Sequence, residues 1–85
     1  MDRDEATAAI ADALHRIAPE VDLAAVDPSV DLAEELDLDS MDVLELYAAL
    51  AERTGVDLGD PGELSDEQRA ARSTLDGLVT ALVSS

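Results

Sequence analysis

The chain has no cysteine, lysine, phenylalanine or tryptophan, and each absence removes possibilities. Without cysteine there is no disulfide framework, no thiolate ligand for a metal and no thiol nucleophile. With a single histidine, His15, and neither cysteine nor lysine, no zinc or Ser-His-Asp arrangement is expected, and His15 itself reads as a surface or partly buried structural residue of the first helix. Tyr47 is the sole aromatic, so the interior must be built from Leu, Val, Ile and Ala. No apolar run approaches the roughly 20 residues needed to cross a bilayer. The first residues, Met1-Asp2-Arg3-Asp4-Glu5, are charged where a secretory signal would need an apolar core. A cytoplasmic protein away from membranes is expected. Positive charge is scarce as well: five arginines face twenty-one carboxylates, for a formal net charge of −16. Between Arg16 and Arg53 no cation interrupts the eleven carboxylates from Glu20 to Glu52. Such a surface repels nucleic acid and anionic lipid, and favours salt-sensitive encounter with basic patches on other proteins.

What the chain does have is helical periodicity in 85 residues, enough for one domain over 1–85 with an adequate but thin core. Asp4 to Ala18 places Ala6, Ile10, Ala13, Leu14 and Ile17 on one stripe, with Pro19 just beyond the end. From Glu20 to Leu38 the period is lost, and scattered Val and Leu residues suggest a long loop pinned to the core, with one short helical turn between Asp31 and Leu36. A second main helix is predicted from Ser40 to about Arg53, stopped by Gly55. On it Met41, Leu44, Tyr47, Ala48 and Ala51 form one apolar track, with Val43, Leu46 and Leu50 beside it. An Asp60-Pro61-Gly62 turn follows. Ser65 caps a short helix over Asp66 to Ala71, and Ser73 or Thr74 starts a last helix with Leu75, Leu78, Val79 and Leu82 facing inward. Nothing alternates with period two. The expected fold is all-α, a small three- to four-helix bundle with a long loop between its first and second helices.

One stretch stands out, Leu36-Asp37-Leu38-Asp39-Ser40-Met41-Asp42-Val43-Leu44-Glu45-Leu46. Asp39 is placed to cap the second helix, with Asp42 in the reciprocal position three residues on. Ser40 then occupies the first helical position with no capping duty left to perform, its hydroxyl toward solvent. A calcium loop beginning at Asp37 fails, because its sixth position is Asp42 where glycine is required and its twelfth is Ala48 where glutamate is required. No metal site is expected. The carboxylates are plentiful, yet a thin bundle has little enclosed volume in which to drive two of their pKa values apart, so an enzyme is not expected either.

Leu38-Asp39-Ser40-Met41-Asp42, with Val43-Leu44-Glu45-Leu46 behind it and Gly55-Val56 closing the helix, resembles the signature of acyl carrier proteins, and the resemblance extends over nearly the whole chain. It implies that Ser40 receives 4′-phosphopantetheine from coenzyme A and that the arm's thiol carries acyl groups, a thiol this cysteine-free chain cannot supply itself. It further implies that Asp39, Met41, Asp42 and Glu45, with Glu52 further along, meet basic docking patches on a phosphopantetheinyl transferase and on acyl-transfer, condensing or adenylating enzymes. Met41 stands in the usual place of leucine; the competing assignment puts it in the core, and a solvated helix face competes for the acidic residues. Val43, Leu46, Leu50, Leu75 and Val79 are candidates to line an acyl pocket, and core packing explains them equally well. Asp37 stands where many relatives have glycine, which would stiffen the approach to the motif, and Thr54 replaces an aromatic often found before Gly55, leaving a smaller core plug. The reading is a discrete, monomeric acyl carrier of fatty acid, polyketide or related biosynthesis. An amino-acyl carrier of the peptidyl or D-alanyl type is the related alternative, and an unmodified acidic helical adaptor is the alternative from another class.

Overall fold

The computed structural model describes residues 1–60 and 62–84. Helix α1 spans Arg3–Ile17, α2 Leu32–Glu35, α3 Ser40–Thr54, α4 Asp66–Ala71 and α5 Leu75–Val83, with a 3-10 turn at Leu23–Ala25. The long α1 and α3 carry the bundle, α1 packs against both α3 and α5, and α2 and α4 are short connecting pieces. The expected bundle with a long first connection is what the sequence forms.

Each helix begins on a side-chain oxygen. Asp2 accepts from Glu5 N–H at 2.8 Å, Asp31 from Ala33 N–H at 2.9 Å, and Thr74 Oγ1 from Gly77 N–H at 2.9 Å. Ser65 and Gln68 form a full capping box at the start of α4, each side chain bonded to the other's backbone N–H at 3.1 Å. In α1, Asp4 and Glu5 lie in the first turn and His15 and Arg16 in the last, the arrangement a helix dipole favours. The turn expected over Asp60-Pro61-Gly62 runs through Pro61, outside the described residues; beside it, Gly62 N–H donates to Asp60 Oδ1 at 2.8 Å.

The loop from Ala18 to Leu36 is tied down by backbone as well as by side chains. Leu32 N–H donates to Ser73 O at 2.8 Å and Asp76 N–H to Pro28 O at 3.1 Å, so the loop is stitched to the start of α5. Leu32 itself is buried, and Leu23, Val26, Leu36 and Leu38 pack partly against the core. The Ser29 N–H and hydroxyl both donate to Asp27, holding that exposed carboxyl below the usual range.

The core consists of Ala6, Ala9, Ile10, Ala13 and Leu14 from α1, Leu46, Tyr47 and Leu50 from α3, and Leu75, Leu78, Val79 and Leu82 from α5, with Leu32 and Leu58 from the connections. The α3 face differs from the sequence expectation. Tyr47 is buried, but Met41 is 60% and Leu44 39% exposed, Ala48 is exposed, and the buried stripe runs through Leu46, Tyr47 and Leu50. The apolar face of α3 is wider than its neighbours cover: Leu46, Tyr47 and Leu50 join the core built with α1 and α5, while Met41 and Leu44, nearer the start of the helix, stay outside it.

At Asp37 the structure gives a different account from the expected stiffening. Asp37 is the one non-glycine residue with positive φ among the described residues, at +54°, and it terminates α2. Leu38 N–H reaches back to Ala33 O at 2.8 Å and Asp37 N–H to Glu34 O at 3.4 Å, the bond pattern of a Schellman cap. Glycine suits this conformation better than a side chain does. Asp37→Gly should therefore stabilise the fold by about 0.5–1 kcal/mol in urea unfolding, the relief of left-handed strain outweighing the added freedom of the unfolded chain. Thr54 likewise does more than leave a smaller plug, since its hydroxyl donates to Leu50 O at 2.6 Å and accepts from Val56 N–H at 3.1 Å beside Gly55 in the left-handed cap.

Gly77 shows the opposite constraint. A Cβ there would fall on the backbone carbonyl of Ala71, closer than atoms can approach. Alanine normally favours a helix by about 1 kcal/mol over glycine. Here the clash is with backbone, so Gly77→Ala should lower stability by about 2 kcal/mol in the same assay, as overpacking does.

Candidate functional site

Three features converge at the N-terminus of α3. Asp39 Oδ1 accepts from Asp42 N–H at 2.9 Å, and Asp42 Oδ2 accepts from Asp39 N–H at 3.3 Å, completing a capping box. This reciprocal bond half-buries Asp42, which the sequence alone assigns to open solvent. The box leaves the N–H groups of Ser40 and Met41, the first two helical positions, without a partner among the described residues.

Ser40 is exposed and its hydroxyl makes no hydrogen bond among the described residues. Its position is distinguished by comparison with the other serines. The Ser29 hydroxyl donates to Asp27 at 2.7 Å, Ser65 caps α4, and the Ser73 hydroxyl donates to Ala70 O at 2.8 Å. Ser84 lies at the C-terminal cap of α5, where the helix dipole disfavours an anion. Among the described serines, only Ser40 combines a free hydroxyl with the positive end of a long helix.

Apolar surface surrounds it. Met41 and Leu44, three residues apart on one face, are with Met1 the large exposed hydrophobic residues of the described chain. They border a surface cleft of about 420 Å³ that Ser40 also lines, together with Leu38, Val43 and Arg69. Arg69, from α4, is the only cation on that cleft among the described residues; it bonds Asp66 at 2.7 Å. Glu45 is exposed one turn beyond Met41. Glu52 lies elsewhere, twelve positions along α3, within 3.7 Å of Arg16 on α1, while Arg53 pairs with Asp12 of α1 at 2.6 Å.

A second cleft of about 420 Å³ adjoins the first, and Ala33, Leu38, Val43 and Arg69 border both. Of the pocket candidates, Val43 and Leu46 line it, whereas Leu50, Leu75 and Val79 are packed in the core and do not. Sequence reasoning misses Leu44, Arg69 and the position of Tyr47 on this inner cleft. Leu44 has a signal, its i, i+3 spacing from Met41; Arg69 has none, because its approach to α3 depends on how α4 folds back.

Among the described residues no group of three or more His, Asp or Glu is placed to hold a metal ion, and no helix is long and apolar enough to cross a membrane. A free hydroxyl, two unpartnered backbone N–H groups, an adjacent arginine and an apolar groove are the parts needed to attach a flexible anionic arm by a phosphodiester and give it a surface to lie on. The comparison with protein families matches the family described as the phosphopantetheine attachment site, over residues 5–82. No match was found among curated proteins or among solved structures. The chain thus belongs to the phosphopantetheine attachment site family, whose members carry 4′-phosphopantetheine covalently.

Proposed function

We propose that the chain acts as an acyl carrier in which Ser40 bears the arm. The observation that carries this is the Ser40 hydroxyl, exposed, unbonded among the described residues and at the N-terminus of a fifteen-residue helix. When bound, the group supplies the thiol this chain lacks, on which acyl groups are held as thioesters. The chain's own residues do the rest. Ser40 would provide the attachment oxygen, and the free N–H groups of Ser40 and Met41 at the positive end of α3 would favour the phosphodiester's charge. Asp39 and Asp42 oppose its charge, so the arm is held loosely enough to reach a partner's active site. Carrier domains of this family are typically not catalytic themselves, and here the chemistry is assigned to the partners.

Those partners are a phosphopantetheinyl transferase and acyl-handling enzymes of fatty acid or polyketide biosynthesis. They would dock on exposed Met41 and Leu44, rimmed by Asp39, Asp42 and Glu45. An apolar pair inside an acidic rim fits a partner with a hydrophobic socket ringed by Arg and Lys. Glu52 takes its place in the α1–α3 seam in this reading.

The test is intact-mass analysis after incubation with coenzyme A and a broad-specificity phosphopantetheinyl transferase. The expected result is the gain of a single phosphopantetheine. An unchanged mass with several such transferases would overturn the proposal and favour an unmodified acidic adaptor.

A further inference from the structure

Asp37 stands where the fold has least use for an aspartate. It occupies the left-handed position that closes α2, at a φ of +54°, where glycine or asparagine is the usual residue. Its carboxylate follows the carbonyl end of that helix, where negative charge is disfavoured, and Glu34 and Glu35 of the last turn already carry two more.

Nothing in the folded chain offsets these terms. The Asp37 side chain is exposed, and its carboxylate has no hydrogen bond or ion pair among the described residues. The other aspartates all have a structural duty. Most cap helices or close turns by accepting backbone N–H groups, others pair with Arg3, Arg53 or Arg69, and Asp4 lies in the first turn of α1, where the dipole favours it. Strained backbone kept without structural benefit is characteristic of functional positions.

The place of Asp37 in the chain suggests the use. It lies three residues before Ser40, no more than about 11 Å along the backbone. Asp39 and Asp42 are tied to each other's backbone in the capping box, whereas both carboxylate oxygens of Asp37 are free among the described residues. The backbone beneath it is fixed by the bonds from Leu38 N–H to Ala33 O and from Asp37 N–H to Glu34 O, so little freedom is lost when the side chain pairs. An enzyme that brings coenzyme A to the Ser40 hydroxyl must lay its surface over this segment. We infer that Asp37 is a recognition residue for that enzyme, its free carboxylate pairing with a lysine or arginine of the phosphopantetheinyl transferase. The inference rests on the carrier reading and adds to the docking face a contact on the loop ahead of α3.

The experiment measures loading by coenzyme A and a broad-specificity phosphopantetheinyl transferase, read by intact mass, for the wild-type protein, Asp37→Asn and Asp37→Gly. The KM for the carrier is determined at about 0.05 M and about 0.5 M salt. Asparagine keeps the size of the side chain and tolerates the left-handed backbone, so it removes the charge alone; glycine removes the strain as well. At low salt the KM should rise about threefold in both variants with kcat unchanged, as loss of one exposed ion pair does, and at high salt the difference should shrink toward parity. Urea unfolding of the same preparations should show both variants at least as stable as the wild-type protein, which separates recognition from a structural role. An unchanged KM for Asp37→Asn at low salt, a loss confined to Asp37→Gly, or a loss undiminished at high salt would overturn the inference. Wild-type protein that no transferase loads would overturn the carrier reading itself, and this inference with it.

Discussion

Ser40→Ala should abolish phosphopantetheine loading completely while leaving the fold untouched. The two effects separate because the Ser40 side chain is exposed and makes no hydrogen bond among the described residues, so its removal leaves no partner there unsatisfied. The cap of α3 belongs to Asp39 and Asp42 and survives the change. Alanine is a slightly better helix former than serine, and the net change in stability should stay within about 0.5 kcal/mol. Loading, by contrast, needs an oxygen nucleophile at that position, and alanine has none. Thermal unfolding and intact mass on one preparation check both halves. A variant that still gains the arm would remove Ser40 from its role, and one that unfolds would show that its hydroxyl has a structural duty.

Leu50→Ala should have the reverse signature, a large loss of stability with the attachment site intact. Leu50 is fully buried on α3, among the largest sealed side chains of the core. Truncating such a leucine costs about 3 kcal/mol through lost transfer energy and the cavity left behind. For a chain of this length total stability is about 4–13 kcal/mol, so that is a substantial share. The midpoint of thermal unfolding should fall by about 12–20 °C. Leu44→Ala, on the same helix but 39% exposed, should cost no more than about 0.5 kcal/mol. The pair of variants reads out which face of α3 is inward. Equal losses would restore the apolar track through Met41 and Leu44 that the sequence suggests.

That rotation marks where the sequence stops being informative. Helix ends are legible because caps are local chemistry: Ser65 with Gln68 sets the start of α4, Thr74 the start of α5, and Gly55 the end of α3. The inward residues of α1 and α5 are legible too, since each helix has one narrow apolar stripe. On α3 the apolar residues extend most of the way round, and which of them turn inward depends on how α1 packs against it and α5 closes the core. The Leu23–Ala25 turn is three residues long, too short to carry a period. The charge and size of Asp37 are plain in the sequence, whereas its backbone conformation, set by the Schellman bonds to Ala33 and Glu34, decides its effect.

The candidate site divides in the same way. Ser40, Asp39 and Asp42 are contiguous or nearly so in sequence and follow helix-start rules, so local chemistry alone dictates their arrangement. Arg69 and Arg72 lie almost thirty residues or more beyond Ser40, and only the return of α4 over α3 brings them to the clefts. Tyr47 stands out in the sequence as the sole aromatic, but that it lines the cleft adjoining the attachment groove is a property of packing.

The most direct measurement is to load the wild-type protein, digest it, and locate the added mass by tandem mass spectrometry. Modification confined to Ser40 is the predicted result. Modification at any other serine, or at none, would contradict the account.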